Sequence, residues 1–396
     1  MDSSLPRRVF LGVSLAPPAE RFAPTGLRVA GVLAESTAHL AGVAPGDVLV
    51  RFDGMELSDA DALARALRAA AGKTHVELEL ERAGSRSSRR VELVERPREV
   101  LPSTTVLYAS ITSGGARLRT IITHPDGAEK RPAVLFLQGI SAESIDLSLP
   151  YEEPTARLIH GWARAGFVTM RLERRGLGDS EGGPFEHTVF EQEVSDYRAA
   201  LDALLRLPFV APGSVFVFGH SVGGMIAPLL ARDTALRGVM VYGTAATPWL
   251  ECLAASSRRQ LALRGVPGAE IEAILARERA ALGVPPDERS LAYHQQLHHA
   301  ELARAWHEVA CEVLVLHGEH DWVVGNEEQA QLMALLAARD EGGARLLELP
   351  GLDHAMMLHR DRASSLSAYG RGAPDASVLD ATRSFIDAPR MDRSPA

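Results

Sequence analysis

The sequence predicts an α/β protein: a mostly parallel sheet with helices on both faces and a helical insertion, preceded by a small β/α domain. Three observations carry this. Beyond residue 104, apolar runs of strand length alternate with segments of helical spacing, the pattern of parallel strands joined by crossover helices. Val215–Gly224, reading Val-Phe-Val-Phe-Gly-His-Ser-Val-Gly-Gly, passes straight from a buried strand into a helix through a glycine-flanked turn. At 396 residues the chain exceeds a typical single domain, and Pro97 and Pro102 mark a connector. The expected division is residues 1–96, a linker at 97–103, a domain at 104–390 with an insertion at 244–310, and a tail at 391–396.

In the first domain Val9–Leu15 and Leu27–Val32 read as strands and Thr37–Ala41 as a short helix. Strand Val48–Phe52 and the turn Asp53-Gly54 follow, then an amphipathic helix over Asp59–Ala71 with Asp59 at its N-cap. Strands His75–Arg82 and Arg89–Val94, joined at Ala83-Gly84-Ser85, close the unit. Phe10-Leu11-Gly12-Val13, the Gly-x-x-Pro-Gly-Asp stretch Gly42–Val50 and the helix after Asp53-Gly54 together resemble a PDZ domain of the bacterial protease-associated type. The resemblance implies that the backbone N–H groups of Leu11, Gly12 and Val13 hold the C-terminal carboxylate of a peptide, which adds as a strand beside the helix. The alternative use of such a domain is packing against the second domain, or dimerisation.

Composition narrows the function. Apolar content of 46% and 23% charged residues are ordinary for a globular protein. A net charge of −9 argues against a nucleic-acid partner, because phosphate binding needs a basic face. Cys252 and Cys311 are the only cysteines, too few for a disulfide framework and without zinc-ligand spacing, which suits a reducing cytoplasm. No apolar run approaches the roughly 18 residues that would span a bilayer. Pro6-Arg7-Arg8-Val9-Phe10-Leu11 has the outline of a twin-arginine export signal. Its apolar stretch ends at Ala16, is broken by Pro17-Pro18, and has no convincing cleavage site, so it reads as a first strand.

In the second domain Val106–Ser110 and Arg117–Thr123 form an antiparallel pair around Ser113-Gly114-Gly115. Ala133–Leu137 is a buried strand opening into Gln138-Gly139-Ile140-Ser141. Helix Ala156–Ala165, strand Phe167–Leu172, the glycine-rich loop Glu173–Ser180 and helix Val189–Leu205 lead to the Val215–Gly224 stretch. After strand Val239–Tyr242 the alternation stops between Thr244 and Ala310, where Trp249–Arg264, Glu270–Leu282 and Leu291–Trp306 have helical spacing. It resumes with strand Glu312–His317, helix Glu327–Arg339 and strand Arg345–Leu349. Arg360–Asp375 reads as irregular, and Val378–Ile386 as the last helix.

Three stretches carry chemistry. Gly219-x-Ser221-x-Gly223 sits in the strand–turn–helix context that holds a serine in strain with its hydroxyl above the sheet. A serine is a weak nucleophile until a base takes its proton. Gly318-Glu319-His320-Asp321 and Gly351-Leu352-Asp353-His354 each follow a strand, so Asp321 and His354 fall beyond strand carboxyl ends, where an open α/β sheet places its site. Serine, acid and histidine in this order and context resemble the α/β-hydrolase superfamily over roughly residues 104–388. The resemblance implies Ser221 as nucleophile, His354 as general base and Asp321 as its orienting acid. It also implies an oxyanion hole from the backbone N–H groups of Val222 and Ile140, with Gly219 and Gly223 needed by the turn. Asp353 and Glu319 are rival acids. Where the superfamily often has His-Gly, this chain has Gln138-Gly139. Arg175 and Ser180 match the superfamily's structural R-G-x-G-x-S loop, and residues 244–310 match a cap that walls an acyl or alcohol pocket.

His294 and His298 lie one helical turn apart, with His299 beside them, but no His-Glu-x-x-His arrangement or third ligand accompanies them. No metal or organic cofactor is called for. The expected reaction is acyl transfer to water on a small acyl ester, a carboxylesterase reading. A serine peptidase or amidase, or a thioesterase, of the same fold remains open, as does a PDZ adaptor carrying an inactive hydrolase domain.

Overall fold

The computed structural model describes residues 5–16, 22–23, 26–149, 153–280 and 289–389. Two compact units divide between Arg98 and Glu99.

The first unit is an antiparallel sheet of β1 (Val13–Leu15), β2 (Phe22–Ala23), β3 (Gly26–Val32), β4 (Val48–Phe52), β5 (Met55–Glu56), β6 (His75–Arg82) and β7 (Ser85–Glu92). Its main order is β1-β3-β4-β6-β7, with β2 beside β3 and β5 beside β4. α1 (Thr37–Leu40) and α2 (Ala60–Ala69) complete it. Val76, Leu78 and Leu80 alternate with more exposed residues along β6, and this apolar face packs with Leu49, Phe52 and Leu63 into the core. Asp59 caps α2 by accepting from the Ala62 amide at 2.7 Å. Asp47 holds the Gly-x-x-Pro-Gly-Asp turn: it accepts from the Ala44 amide at 2.9 Å and from Arg82 Nε at 2.6 Å. The Arg82 hydrogen bond lowers the Asp47 pKa.

The first strand is shorter than the apolar run suggested. Val9 makes only an isolated bridge to Glu95, and β1 starts at Val13. The interruption is Gly12, at φ +73°, where an added Cβ would lie 2.2 Å from Ser36 Cβ. Arg7 of the twin-arginine pair is built into this unit, donating from Nη2 to the Pro97 carbonyl at 2.6 Å.

The second unit is an eight-stranded sheet in the order β15-β14-β13-β12-β10-β11-β9-β8. β8 (Thr104–Ser113) and β9 (Ala116–Pro125) form a hairpin, and β9 runs antiparallel to β11 (Val168–Leu172). The remaining pairs, among β10 (Arg131–Leu137), β11, β12 (Val210–His220), β13 (Gly238–Tyr242), β14 (Glu312–Gly318) and β15 (Ala344–Leu349), are parallel. β11 and β13 are buried at every position, because helices cover both faces. One face packs Leu135, Val217 and Ile226 with α4 (Phe190–Leu205) and α5 (Val222–Ala231). The other packs Phe136, Phe218 and Trp162 with α3 (Pro154–Arg164) and α12 (Ser377–Asp387). β10 is followed in sequence by β11 on one side and β12 on the other, so a crevice opens beyond its carboxyl end.

Three local expectations change. Glu99, in the stretch read as a linker, is buried in the second unit, where it accepts from the Leu147 amide and pairs with Arg171 and His160. Burial alone would raise its pKa, but Arg171 and His160 hold it at about 2. The helix expected over Leu291–Trp306 is two, α8 (Leu291–His299) and α9 (Leu302–His307). Leu297 and Leu302 are both buried, and on one straight helix they would point about 140° apart. The stretch after residue 360 is also more regular than its polarity suggested. It holds α11 (Arg362–Ser367), capped by Asp361, which accepts from the Ser364 amide at 2.7 Å, and β17 (Ala373–Pro374), which pairs antiparallel with β16 (Met357–Leu358) just before the stretch. The remaining helices of this unit are α6 (Trp249–Leu263) and α7 (Gly268–Ala280), which with α8 and α9 form the insertion between β13 and β14, and α10 (Asn326–Ala337). Among the described residues no helix is long and apolar enough to cross a membrane.

Candidate active site

Ser221 stands between β12 and α5 at φ 54°, ψ −120°, a conformation that a residue with a Cβ adopts only under strain. Its amide donates to the Tyr242 carbonyl at 2.9 Å. The turn tolerates no side chains at its flanks. A Cβ on Gly219 would lie 2.5 Å from the Gly223 carbonyl oxygen, and one on Gly223 would lie 2.2 Å from that of Leu137.

Asp321 follows β14 and His354 follows β15, 33 residues later, yet His354 Nδ1 lies 2.8 Å from Asp321 Oδ2. The other Asp321 oxygen accepts from the amides of Val323 at 2.8 Å and Val324 at 2.9 Å. Burial alone would raise the Asp321 pKa, but His354 and these bonds hold it below the ordinary carboxylate value. The pair lies over the end of β13, and Gly243 makes room: at φ +57°, its Cβ would sit 2.8 Å from His354 Nδ1.

His220 joins the serine turn to the histidine loop. Its Nε2 is 2.8 Å from the His354 carbonyl, which can only accept, so Nε2 carries the proton. Burial, with His354 beside it, pulls its pKa down to about 4, so the ring is neutral in ordinary buffers. On its other side, a Cβ on Gly139 would be 3.4 Å from both His220 Nδ1 and Ser221 Cβ, which places the Gln138–Ser141 loop against the serine. Arginines hold that loop by its carbonyls. Arg174 donates to Gln138 O at 2.8 Å, to Ser141 O at 2.8 Å and to Gly139 O. Gln138 Nε2 is engaged by the Glu143 carbonyl at 2.7 Å, so this side chain builds the loop.

The rival acids are occupied elsewhere. Asp353 Oδ1 accepts from the Ala355 and Met357 amides, and its Oδ2 accepts from Ser365 Oγ at 2.8 Å. Glu319 accepts from the Gly351 amide at 2.8 Å. Arg175 forms a two-pronged pair with Asp196 at 2.7 Å, and Ser180 Oγ donates to the Glu173 carbonyl at 2.6 Å; both brace their loop. In the insertion His294 Nδ1 accepts from Trp249 Nε1 at 2.8 Å and His298 Nδ1 from the Leu250 amide at 3.3 Å, so both tie α8 to α6. Among the described residues no group of three or more His, Cys, Asp or Glu is placed to hold a metal.

Sequence reasoning missed His220, Gly243, Arg174, Arg259 and Arg289. His220 was the variable position of the serine motif, and Gly243 directly follows a recognised strand, which is the signal that could have found it. Arg259, on α6, donates to the Trp322 carbonyl at 2.9 Å and the Val323 carbonyl at 2.7 Å, just beyond Asp321.

Residues 134–365 match the model of the alpha/beta hydrolase family. The chain belongs to that family. Residues 28–82 match the model of the PDZ domain. The alpha/beta hydrolase chain is 22% identical over 263 residues to esterase EstD of Thermotoga maritima, covering 65% of this chain and 63% of that protein. It thus spans less than two thirds of that relative's length. In fold it is similar to Est1E of Butyrivibrio proteoclasticus, solved with ferulic acid bound, at TM-score 0.50 and 17% identity over 70% of this chain and 99% of that one. It is also similar to an acylaminoacyl peptidase of Pyrococcus horikoshii, at TM-score 0.51 and 11% identity over 81% of this chain and 48% of that one. The hydrolase unit is esterase-like in sequence and fold.

Proposed function

We propose that the chain is a serine carboxylesterase working through Ser221, His354 and Asp321. The observation that carries this reading is the buried His354–Asp321 pair at 2.8 Å, tied by His220 to the strained turn that presents Ser221. A hydrogen bond from Ser221 Oγ to His354 Nε2 is the contact this reading adds to that geometry.

Ser221 Oγ attacks the ester carbonyl carbon as His354 Nε2 takes its proton. Asp321 holds the Nδ1–H tautomer and stabilises the imidazolium. The tetrahedral oxyanion takes the N–H groups of Ile140 and Val222, worth about 3 kcal/mol per donor. Collapse expels the alcohol, which receives the proton from His354, and leaves an acyl-enzyme. Water, deprotonated by His354, then releases the acid by the same steps. The insertion forms the cap of this site. Replacing Ser221 by alanine tests the reading: turnover of p-nitrophenyl esters should fall about 10³-fold or more. A fluorophosphonate should label the parent and not the variant. A parallel panel of aminoacyl-nitroanilides and thioesters decides bond type, and faster amide turnover would favour a peptidase.

For the PDZ domain we propose capture of a peptide C-terminus. The carbonyls of Phe10, Leu11 and Gly12 accept from the amides of Thr37, Ala38 and Leu33. In a trans peptide the following N–H points the opposite way, which supports amides of Leu11, Gly12 and Val13 turned toward a carboxylate. The cytoplasm is the proposed working compartment, supported by two free thiols, Cys252 and Cys311.

A further inference from the structure

We propose that Arg289, in the insertion just before α8, is a positioning residue for the oxyanion hole, acting with Arg174 through Glu193 to hold the Gln138–Ser141 loop. The proposal rests on the serine-hydrolase reading above. Arg289 Nη2 lies 2.6 Å from Glu193 Oε2, and Arg174 Nε lies 2.7 Å from Glu193 Oε1, so one carboxylate on α4 bridges two guanidinium groups. All three side chains are at least 98% buried. The Arg289 guanidinium also lies over the rings of Phe185, 3.9 Å from its centroid, and Tyr293, 4.2 Å from its centroid.

Between them the two arginines reach every carbonyl of the loop. Arg174 takes Gln138, Gly139 and Ser141, and Arg289 Nε approaches Ile140 O at 3.4 Å. This matters because peptide units are planar and trans. The Gly139 carbonyl and the Ile140 N–H belong to one unit and point in opposite directions. Fixing Gly139 O from one side therefore fixes the direction of the Ile140 N–H on the other, where the loop faces Ser221. The Ile140 carbonyl, held by Arg289, fixes the next unit. A donor already oriented for the oxyanion need not reorganise as charge develops, which is the basis of its catalytic value.

Arg174 lies in the loop after β11 and is local to the sheet. Arg289 comes from the insertion, between β13 and β14. The insertion thus reaches the backbone of the oxyanion loop, in addition to any wall it provides for substrate.

The experiment compares Arg289→Met and Arg289→Lys with the parent in the full-length protein. Steady-state kinetics on p-nitrophenyl acetate are read beside affinity for an aryl trifluoromethyl ketone, which adds to the serine and places a negative oxygen in the hole. The matching methyl ketone reports affinity without that charge. Arg289→Met is expected to lower kcat about 10- to 100-fold with KM within about twofold, less than the loss of a whole donor. Trifluoromethyl ketone affinity should fall by the same factor while methyl ketone affinity holds. Arg289→Lys, which keeps the charge beside Glu193 but loses the planar fork, should recover only part of the loss. A folded Arg289→Met with kcat and trifluoromethyl ketone affinity within twofold of the parent overturns the proposal. If Arg289→Met does not fold, Arg289→Lys decides: unchanged kcat and ketone affinity then make Arg289 structural only. Failure of the parent itself to bind the trifluoromethyl ketone, or retained turnover in Ser221→Ala, would instead overturn the underlying serine-hydrolase reading.

Discussion

Acid should loosen the hydrolase unit through His220, and the size of the effect follows from its surroundings. Unfolded, this imidazole titrates near its ordinary value of 6.5; folded, burial and the neighbouring His354 bring it to about 4. Between those values the unfolded chain holds a proton that the folded chain refuses. Stability therefore rises with pH across that window, is fully present above about 6.5, and is lost as pH falls toward 4. At about 1.36 kcal/mol per pH unit, the gap amounts to roughly 3 kcal/mol below pH 4 and roughly 2.5 kcal/mol at pH 4.5 relative to pH 7. The variant that isolates this contribution is His220→Gln. Its amide nitrogen can replace Nε2–H toward the His354 carbonyl but does not titrate. Urea unfolding of the hydrolase unit at pH 7 and pH 4.5 gives the two free energies for each protein. The parent should lose roughly 2.5 kcal/mol more than the variant over that interval, while the variant keeps most ester turnover at pH 7. Equal losses in both proteins would mean that His220 is protonated in the fold at ordinary acidity, and the argument from its burial would fail.

Three further outcomes are expected. Asp321→Asn should cost on the order of 10⁴ in turnover, because it can present the wrong tautomer partner to His354; Asp353→Asn, which weakens a loop brace, should cost far less in kcat and more in melting temperature, and the reverse ranking would exchange the acid assignment. Gly243→Ala places a methyl 2.8 Å from His354 Nδ1 at a backbone φ of +57°, so a folded variant should lose at least tenfold in kcat on p-nitrophenyl acetate; unchanged kinetics would show that the pair can shift without loss. Titration calorimetry of the full chain should detect a peptide with a free C-terminus and not its amidated form, with binding abolished by Gly12→Ala, whose Cβ would meet Ser36 Cβ at 2.2 Å; equal binding of both peptides would exclude carboxylate capture.

The features legible in the sequence were those written locally. The Ser221 turn announces itself because its two glycines, the preceding apolar strand and the following helix are contiguous. Asp321 and His354 were legible from the strand–loop grammar, since each follows a run of apolar residues long enough to be a buried strand. The capping pair Asp361 and Ser364 was also local and could have placed α11, but with only Ser365 buried in that helix no apolar period drew attention to it. The break between α8 and α9 was not legible, because a periodic count accepts Leu297 and Leu302 separately and cannot weigh whether both face the core.

The buried charges that stayed hidden share one physical property: they depend on pairing between residues far apart in the chain. Arg174, Glu193 and Arg289 are each an unremarkable charged residue in sequence, and such residues are usually solvated. Their burial is tolerable only because one carboxylate serves two guanidinium groups, which in turn satisfy backbone carbonyls that no helix or sheet claims. Removing Glu193 strands two buried guanidinium groups, whereas removing either arginine leaves a one-to-one pair and frees the carbonyls that arginine held. Arg259 obeys the same logic on the opposite flank, where it closes the Trp322 and Val323 carbonyls while those residues' neighbour Asp321 is held by backbone amides. Two arginines of one insertion therefore end on two separate loops, Arg289 on the Gln138–Ser141 loop and Arg259 on the loop that carries Asp321. An exchange of the whole insertion for a short linker should for that reason remove turnover of even the smallest esters, and not only alter preference among longer acyl chains. A linker variant that stays folded and keeps small-ester kcat would show that both loops hold their shape without those arginines.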